Sequence, residues 1–192
     1  MARPDQLRGQ VEENLRRLGR DHLDVVNLRS DGMGSIAEHF GALAELRAAG
    51  LIRHLGPPTS GRSIVAEARA IAPVVCVQNA YCLDWPRADE SGLVDLCREQ
   101  SIAFVPFFAV SSLQREAAPA QEQNARAHTV TRAHDATPAQ IRLAWTLHRG
   151  PHVPAIPGTT NPAHLTEHIA AGSLRLTEEE LALLDKPIEA DA

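Results

Sequence analysis

The chain is sparing with tyrosine and lysine, two side chains that acid catalysis can pair. Tyr81 is its one tyrosine, Lys186 is its one lysine among 19 lysine and arginine residues, and Cys76, Cys82 and Cys97 are its cysteines. A mechanism that needs a tyrosine acid beside a lysine must use Tyr81 and Lys186 or none. The cysteines form no CxxC pair, so their spacing suggests neither a zinc site nor a disulfide framework. Cys76 sits in a Val-rich run and reads as an inert core thiol. Arg29, at the end of an apolar run, offers five donors in a planar fork suited to a carboxylate or phosphate. The plainer account is an ion pair with Asp24 or Asp31.

The segment IPGTTNPAHLTEH places Thr159, Thr160 and Asn161 directly before a helix. The free N–H groups of a helix N-terminus make a ready anion site. His164 and His168 lie four residues apart on that helix, a spacing that can bind metal. No third ligand accompanies them, so a solvated face explains them better and no metal is expected. Phe107 and Phe108 could wall a pocket, although core packing accounts for them more simply. His22, His39, His128, His134, His148 and His152 have no motif around them.

The elements that must position these groups alternate along the chain. Leu7, Val11, Leu15 and Leu18 recur at helical spacing between Pro4 and Gly19, which predicts a helix over 3–19. Strands are expected at 23–28, 51–56, 74–82, 102–110 and 153–160. Helices are expected at 35–50, 63–72, 91–101, 137–150, 162–172 and 176–186, with loop and irregular helix over 111–135. Thr137 with Pro138, and Thr177, are the predicted helix starts. Regular βα alternation implies a parallel sheet covered by helices, either doubly wound or a barrel. No GxGxxG and no GxxxxGK[ST] follows any strand, so neither common phosphate loop is present.

With 192 residues, 44% of them apolar and 22% charged, the chain can bury one sizeable core, and no break in composition divides it. A single domain over 1–192 is expected. The net charge of −5, spread along the sequence, argues against nucleic-acid or anionic-membrane binding. No apolar run approaches the ~20 residues of a membrane span. The N-terminal segment is charged throughout, without the pattern of a signal peptide, and a cytoplasmic location is expected.

Read in order, LRRLGRDHLDVVNLR, AGLIRHLGPPTSGRS, VQNAYCL, SIAFVPFFAVSSL and DATPAQIRLAWTLHRGPHVPAIPGTTNPAHLTEHIAAGSLRLTEEELALLD resemble the aldo-keto reductase family over nearly the whole chain. The resemblance implies a (β/α)₈ barrel with cofactor and active site at the C-terminal strand ends. It further implies carbonyl reduction by hydride from NADPH, with a Tyr acid assisted by Lys and Asp and a His that orients the substrate. The alignment starts at the family's third helix, so its Asp, Tyr and Lys positions would precede Met1, and its His position falls on Arg29. The expected fold is therefore α/β: a partial TIM-type barrel of about five parallel strands with covering helices.

The resemblance also assigns cofactor positions. Gln78 matches the glutamine that bonds the nicotinamide amide, and Tyr81 matches a tyrosine associated with stacking on the ring, against ordinary packing. Thr159, Thr160 and Asn161 would contact the 2′-phosphate, and Glu167 the adenine. His164 and His168 stand where the family often has Arg and Asn. Pro58 and Thr59 replace its Ser-Asn pair, and proline offers no N–H. A weakened NADP(H) site follows.

Three functions are consistent with these residues. The first is an aldo-keto-reductase-like protein, catalytically degenerate, that keeps part of a nucleotide site. The second is a non-redox isomerase or cyclase acting on a small carbonyl compound, with Arg29 binding substrate and Asp31 or Asp84 as acid/base. The third is a non-catalytic interaction protein. Five strands leave two exposed edges, so a homo-oligomer or a partner protein is expected to cover them.

Overall fold

The computed structural model describes residues 2–29, 34–59, 61–110 and 118–186. Among them the elements run α1 (Pro4–Leu18), β1 (Leu23–Asn27), α2 (Ala37–Ala48), β2 (Ile52–Gly56), α3 (Arg62–Ile71), β3 (Cys76–Ala80), α4 (Arg87–Glu90), α5 (Leu93–Glu99), β4 (Ala103–Phe107), α6 (Ala118–His134), α7 (Pro138–Leu147), α8 (Pro162–Ala171) and α9 (Glu178–Leu184). The chain packs as two compact units, one of residues 1–79 with 91–104 and the other of 80–90 with 105–192.

In the first unit, β1 and β2 pair in parallel with Leu23 opposite Ile52 and Asn27 opposite Gly56. Val74 bridges Leu55 in parallel. The Val75 N–H donates to the Leu55 carbonyl at 3.0 Å, and the Val75 carbonyl accepts from the Ala103 N–H at 2.9 Å. These bonds link the β1–β2 pair to the β3–β4 pair in sequence order. Gly56 is where the strand ends crowd. A Cβ there would lie 1.9 Å from Asn27 Oδ1 and 2.8 Å from the Cys76 carbonyl, so no larger residue fits. Past this gap the Cys76 thiol donates to Asn27 Oδ1 at 3.3 Å.

One face of α1 (Leu7, Val11, Leu15) and one of α2 (Phe40, Leu43, Leu46) bury against Leu28, Ile52 and Leu55. Each such side chain contributes about 1.5–3 kcal/mol of burial. Gly19 ends α1 in the left-handed region at φ 61°, and its N–H returns to the Leu15 carbonyl.

The second unit is built on helices. Thr137 and Gln140 cap α7 reciprocally: the Gln140 N–H donates to Thr137 Oγ1 at 3.3 Å, and the Thr137 N–H to Gln140 Oε1 at 2.9 Å. Thr177 and Glu180 repeat the device at α9. Most of α7 is buried, from Ile141 to Thr146.

The structure departs from the sequence expectation at three places. Residues 153–160 form no strand, which leaves four strands among the described residues rather than about five. Pro154 and Pro157 within that segment have no N–H to give a ladder. The stretch expected to be loop and irregular helix holds the 17-residue α6, while 111–117 lies outside the described residues. The short α4 was not foreseen, because four residues show no period. No helix among the described residues is long and apolar enough to cross a membrane.

Candidate functional site

The loop before α8 is open and polar. Asn161 caps the helix, its Oδ1 accepting from the Ala163 N–H at 3.0 Å while its own N–H donates to Thr159 Oγ1 at 3.1 Å. Pro162 follows at the first helical position, and the first turn holds no acidic residue. Thr159, Thr160, Asn161 and His164 are all exposed. This end of α8 therefore presents the Thr159 and Thr160 hydroxyls and the Asn161 amide, with no first-turn carboxylate to repel an anion, while the Ala163 N–H is taken by the Asn161 cap and Pro162 has none.

Glu167 and His168 lie half-buried farther along the same helix. The Glu167 carbonyl accepts from Gln140 Nε2 of α7 at 3.1 Å. His168 Nδ1 is buried without a hydrogen-bond partner among the described residues. It borders a cavity of about 420 Å³ lined by Leu143, Leu147, Ile156, Leu165 and Ile169. Among the described residues no three His, Cys, Asp or Glu side chains gather as metal ligands.

Tyr81 sits in a different setting. It is 0% exposed, and its ring stacks on Trp145 with centroids 5.3 Å apart. Its hydroxyl donates to Asp89 Oδ2 at 2.6 Å. Burial is the main force pushing the phenol's pKa far above its ordinary value, with Arg149 partly opposing it and Asp89 adding to it. Arg149 lies over the Trp145 ring at 3.9 Å and pairs with Asp185, which also accepts from the Trp145 indole N–H at 2.7 Å. These contacts favour packing over nicotinamide stacking as the role of this ring.

Asp84 is also committed. Arg142 holds its carboxylate at 3.1 Å, and both side chains are only 7% exposed. The neighbouring Cys82 thiol is pushed up to about 11, first by burial and then by the Asp84 charge. Burial raises Cys97 to about 11 as well, and raises Cys76. All three are buried thiols, which fits the inert reading of Cys76. Lys186 is exposed beyond α9, and its backbone carbonyl accepts from Arg126. The charged groups acting on Tyr81 are Arg149, Asp89 and Asp185, with no lysine among them.

In the first unit, Arg29 is exposed and makes no ion pair among the described residues. Asp24 pairs instead with Arg53 at 3.1 Å and with His22 at 3.5 Å. Asp31 lies outside the described residues. Arg29 borders a groove of about 480 Å³ between α1 and β1, together with Leu7, Val11, Asn14, Val26 and Asn27. Gln78 is half-buried on β3 with no side-chain hydrogen bond among the described residues. Pro58 is buried and Thr59 exposed.

Phe108 corrects the core-packing account of the two phenylalanines. It is 48% exposed with φ 67°, and it meets Phe107 edge-on with centroids 5.1 Å apart. A bulky residue in the left-handed region is a strained position.

Sequence reasoning missed Trp145, Arg142 and Arg149 because their partners are remote in sequence, and Asp89 because no motif marks its bond to Tyr81 eight residues earlier. Gln140 was within reach, since Thr-x-x-Gln is a visible capping box.

Comparison with known proteins places this arrangement. The family model described as Aldo/keto reductase family matches residues 1–189. The pyridoxine 4-dehydrogenase of Escherichia coli (strain K12) is 42% identical over 189 residues, covering 95% of this chain and 63% of that protein. An uncharacterized oxidoreductase of Schizosaccharomyces pombe is 34% identical over 184 residues, covering 95% and 58%. The chain thus spans roughly three fifths of the length of these relatives. A crystal structure of a thermostable aldo-keto reductase in complex with the inhibitor epalrestat superposes with a TM-score of 0.85 at 30% identity, covering 95% of this chain and 66% of that one. An aldo/keto reductase from Klebsiella pneumoniae in complex with NADP and acetate gives 0.79 at 28% identity, covering 93% and 63%. With its parallel strands and covering helices of the TIM-barrel type, the chain belongs to the aldo/keto reductase family.

Proposed function

We propose that this chain is one aldo-keto-reductase-like domain, a partial TIM-type barrel, that retains a weakened NADP(H) site and does not by itself reduce carbonyls. The observation that carries the nucleotide half is the α8 N-terminus, where Thr159, Thr160 and capping Asn161 stand exposed with no acid in the first turn. A 2′-phosphate would find donors there, with Glu167 contacting adenine and His164 and His168 in place of stronger partners. Gln78 is the proposed amide contact of the nicotinamide. Tyr81 is the least supported of the set, because its ring is packed on Trp145. The dinucleotide, when bound, would supply a hydride; the protein's part is to bind and orient it.

The catalytic half is argued from what this chain's own residues do. A tyrosine acid needs a lowered pKa, and Tyr81 is shifted the other way while donating to Asp89. The charged groups that shift it, Arg149, Asp89 and Asp185, include no lysine, and by the resemblance Arg29 stands at the family's histidine position. The isomerase-type reading loses its described acid/base, since Arg142 holds Asp84. In a steady-state assay of the 192-residue chain with NADPH and a panel of aldehydes, pyridoxal among them, we expect no cofactor oxidation above the protein-free rate. Turnover with any of these substrates would overturn the catalytic half.

We also propose that a second copy or a partner protein covers the open side of β1, and that the protein works in the cytoplasm. Support for the first comes from Val25, 47% exposed on a strand whose described pairing is with β2 alone, beside the groove at α1. Light scattering on the purified chain tests this, and a stable monomer at micromolar concentration would contradict the copy-to-copy form.

A further inference from the structure

The α8 helix is poorly anchored by apolar burial. Of its residues only Ala171 is buried, while Leu165 and Ile169 are 51% and 72% exposed. The cavity of about 420 Å³ lies along its apolar side toward α7. Few apolar contacts therefore fix where its N-terminus points. Gln140 of α7 hydrogen-bonds to it, and Leu143 of α7 shares an apolar cluster with its Ala171. Gln140 uses both ends of its amide: Oε1 accepts from the Thr137 N–H, closing the capping box, and Nε2 donates to the Glu167 carbonyl at 3.1 Å.

We infer that Gln140 is a positioning residue for the proposed nucleotide site, tying α8 to the start of α7 through the Glu167 carbonyl and so setting the aim of Thr159, Thr160 and Asn161. The inference rests on the nucleotide reading above. A helix held by packing on all sides would tolerate loss of one hydrogen bond. A helix with an open groove along one face instead shifts when its polar tie is cut, and hydrogen bonds to a phosphate weaken steeply with misalignment. Both ends of the amide are half-buried, so the tie is little diluted by competing water.

The two functions of this amide can be separated. Gln140→Glu keeps the acceptor that caps α7 and places a negative charge favourably in the first turn. It removes the donor, however, and sets a carboxylate against the Glu167 carbonyl. Thr137→Ala does the reverse, removing half of the cap while leaving the tie. NADPH and NADH titrations followed by cofactor fluorescence, together with thermal melts, read the difference.

For Gln140→Glu the NADPH dissociation constant should rise about tenfold, the value expected for losing one charge-assisted alignment. Its preference over NADH should narrow, with little change in melting midpoint. For Thr137→Ala the midpoint should fall while NADPH affinity stays within about twofold of the parent. Should Gln140→Glu fail to fold, Gln140→Met, which neither donates nor repels, should raise the constant by about fivefold. If the parent chain binds NADPH and the Gln140 variant binds it equally well, the positioning role is overturned and the nucleotide reading stands. If the parent binds no NADPH at millimolar concentration, both fall.

Discussion

Two regions of the second unit are made from similar residue types and treat them in opposite ways. Around Tyr81 the polar side chains pair with one another: the phenol with Asp89, Arg142 with Asp84, and Arg149 and the Trp145 indole with Asp185. Around the start of α8 the hydroxyls and amide of Thr159, Thr160 and Asn161 face solvent, and the bonds they make are short-range ones that shape the loop. The first arrangement spends its polar groups on holding 80–90 to α7 and to the residues after α9. The second leaves donors in place for something outside the chain. Under the proposed function, the α8 end would keep its donors for a ligand while Tyr81 and Asp84 serve packing.

The largest effect that tests this contrast should come from the buried ion pair. Arg142→Met leaves the Asp84 carboxylate buried without its cation and should cost about 3–5 kcal/mol in denaturant unfolding. A loss below about 1 kcal/mol would mean that Asp84 is free to do chemistry after all. Tyr81→Phe should cost less, about 1–2 kcal/mol for the Asp89 hydrogen bond, with NADPH affinity unchanged. Weaker binding at constant stability would move Tyr81 from the packed region to the ligand. Asn161→Ala sharpens the other side. It should lower stability by about 1 kcal/mol through the lost cap and weaken NADPH binding severalfold. Loss of stability alone would reduce Asn161 to a cap.

What could be foreseen follows the range of the interactions involved. Helix ends written in neighbouring residues were legible: Pro4 and Gly19 bound α1, Thr137 with Pro138 opens α7, and Thr177 opens α9. The start of α8 was legible from Pro162, but Asn161 was read only as an anion contact and not as the cap. The segment 153–160 misled because Val153, Ala155 and Ile156 give an apolar run while Pro154 and Pro157 withhold the N–H groups a ladder needs. The contacts of Tyr81 and Asp84 could not be read, since their partners on α7 lie some 60 residues away and nothing local marks the pairing. The strained backbone of Phe108 was equally invisible, as its φ of 67° follows from the path of the chain after β4 and not from a local residue pattern.

The most direct test of the account is a fluorescence titration of the purified chain with NADPH, repeated with NADH. Saturable binding in the micromolar range, stronger for NADPH than for NADH, is the predicted result, because the exposed donors before α8 are suited to the extra phosphate. Absence of binding at millimolar NADPH would contradict it, and the likeness of the α8 loop to a nucleotide site would then record ancestry alone.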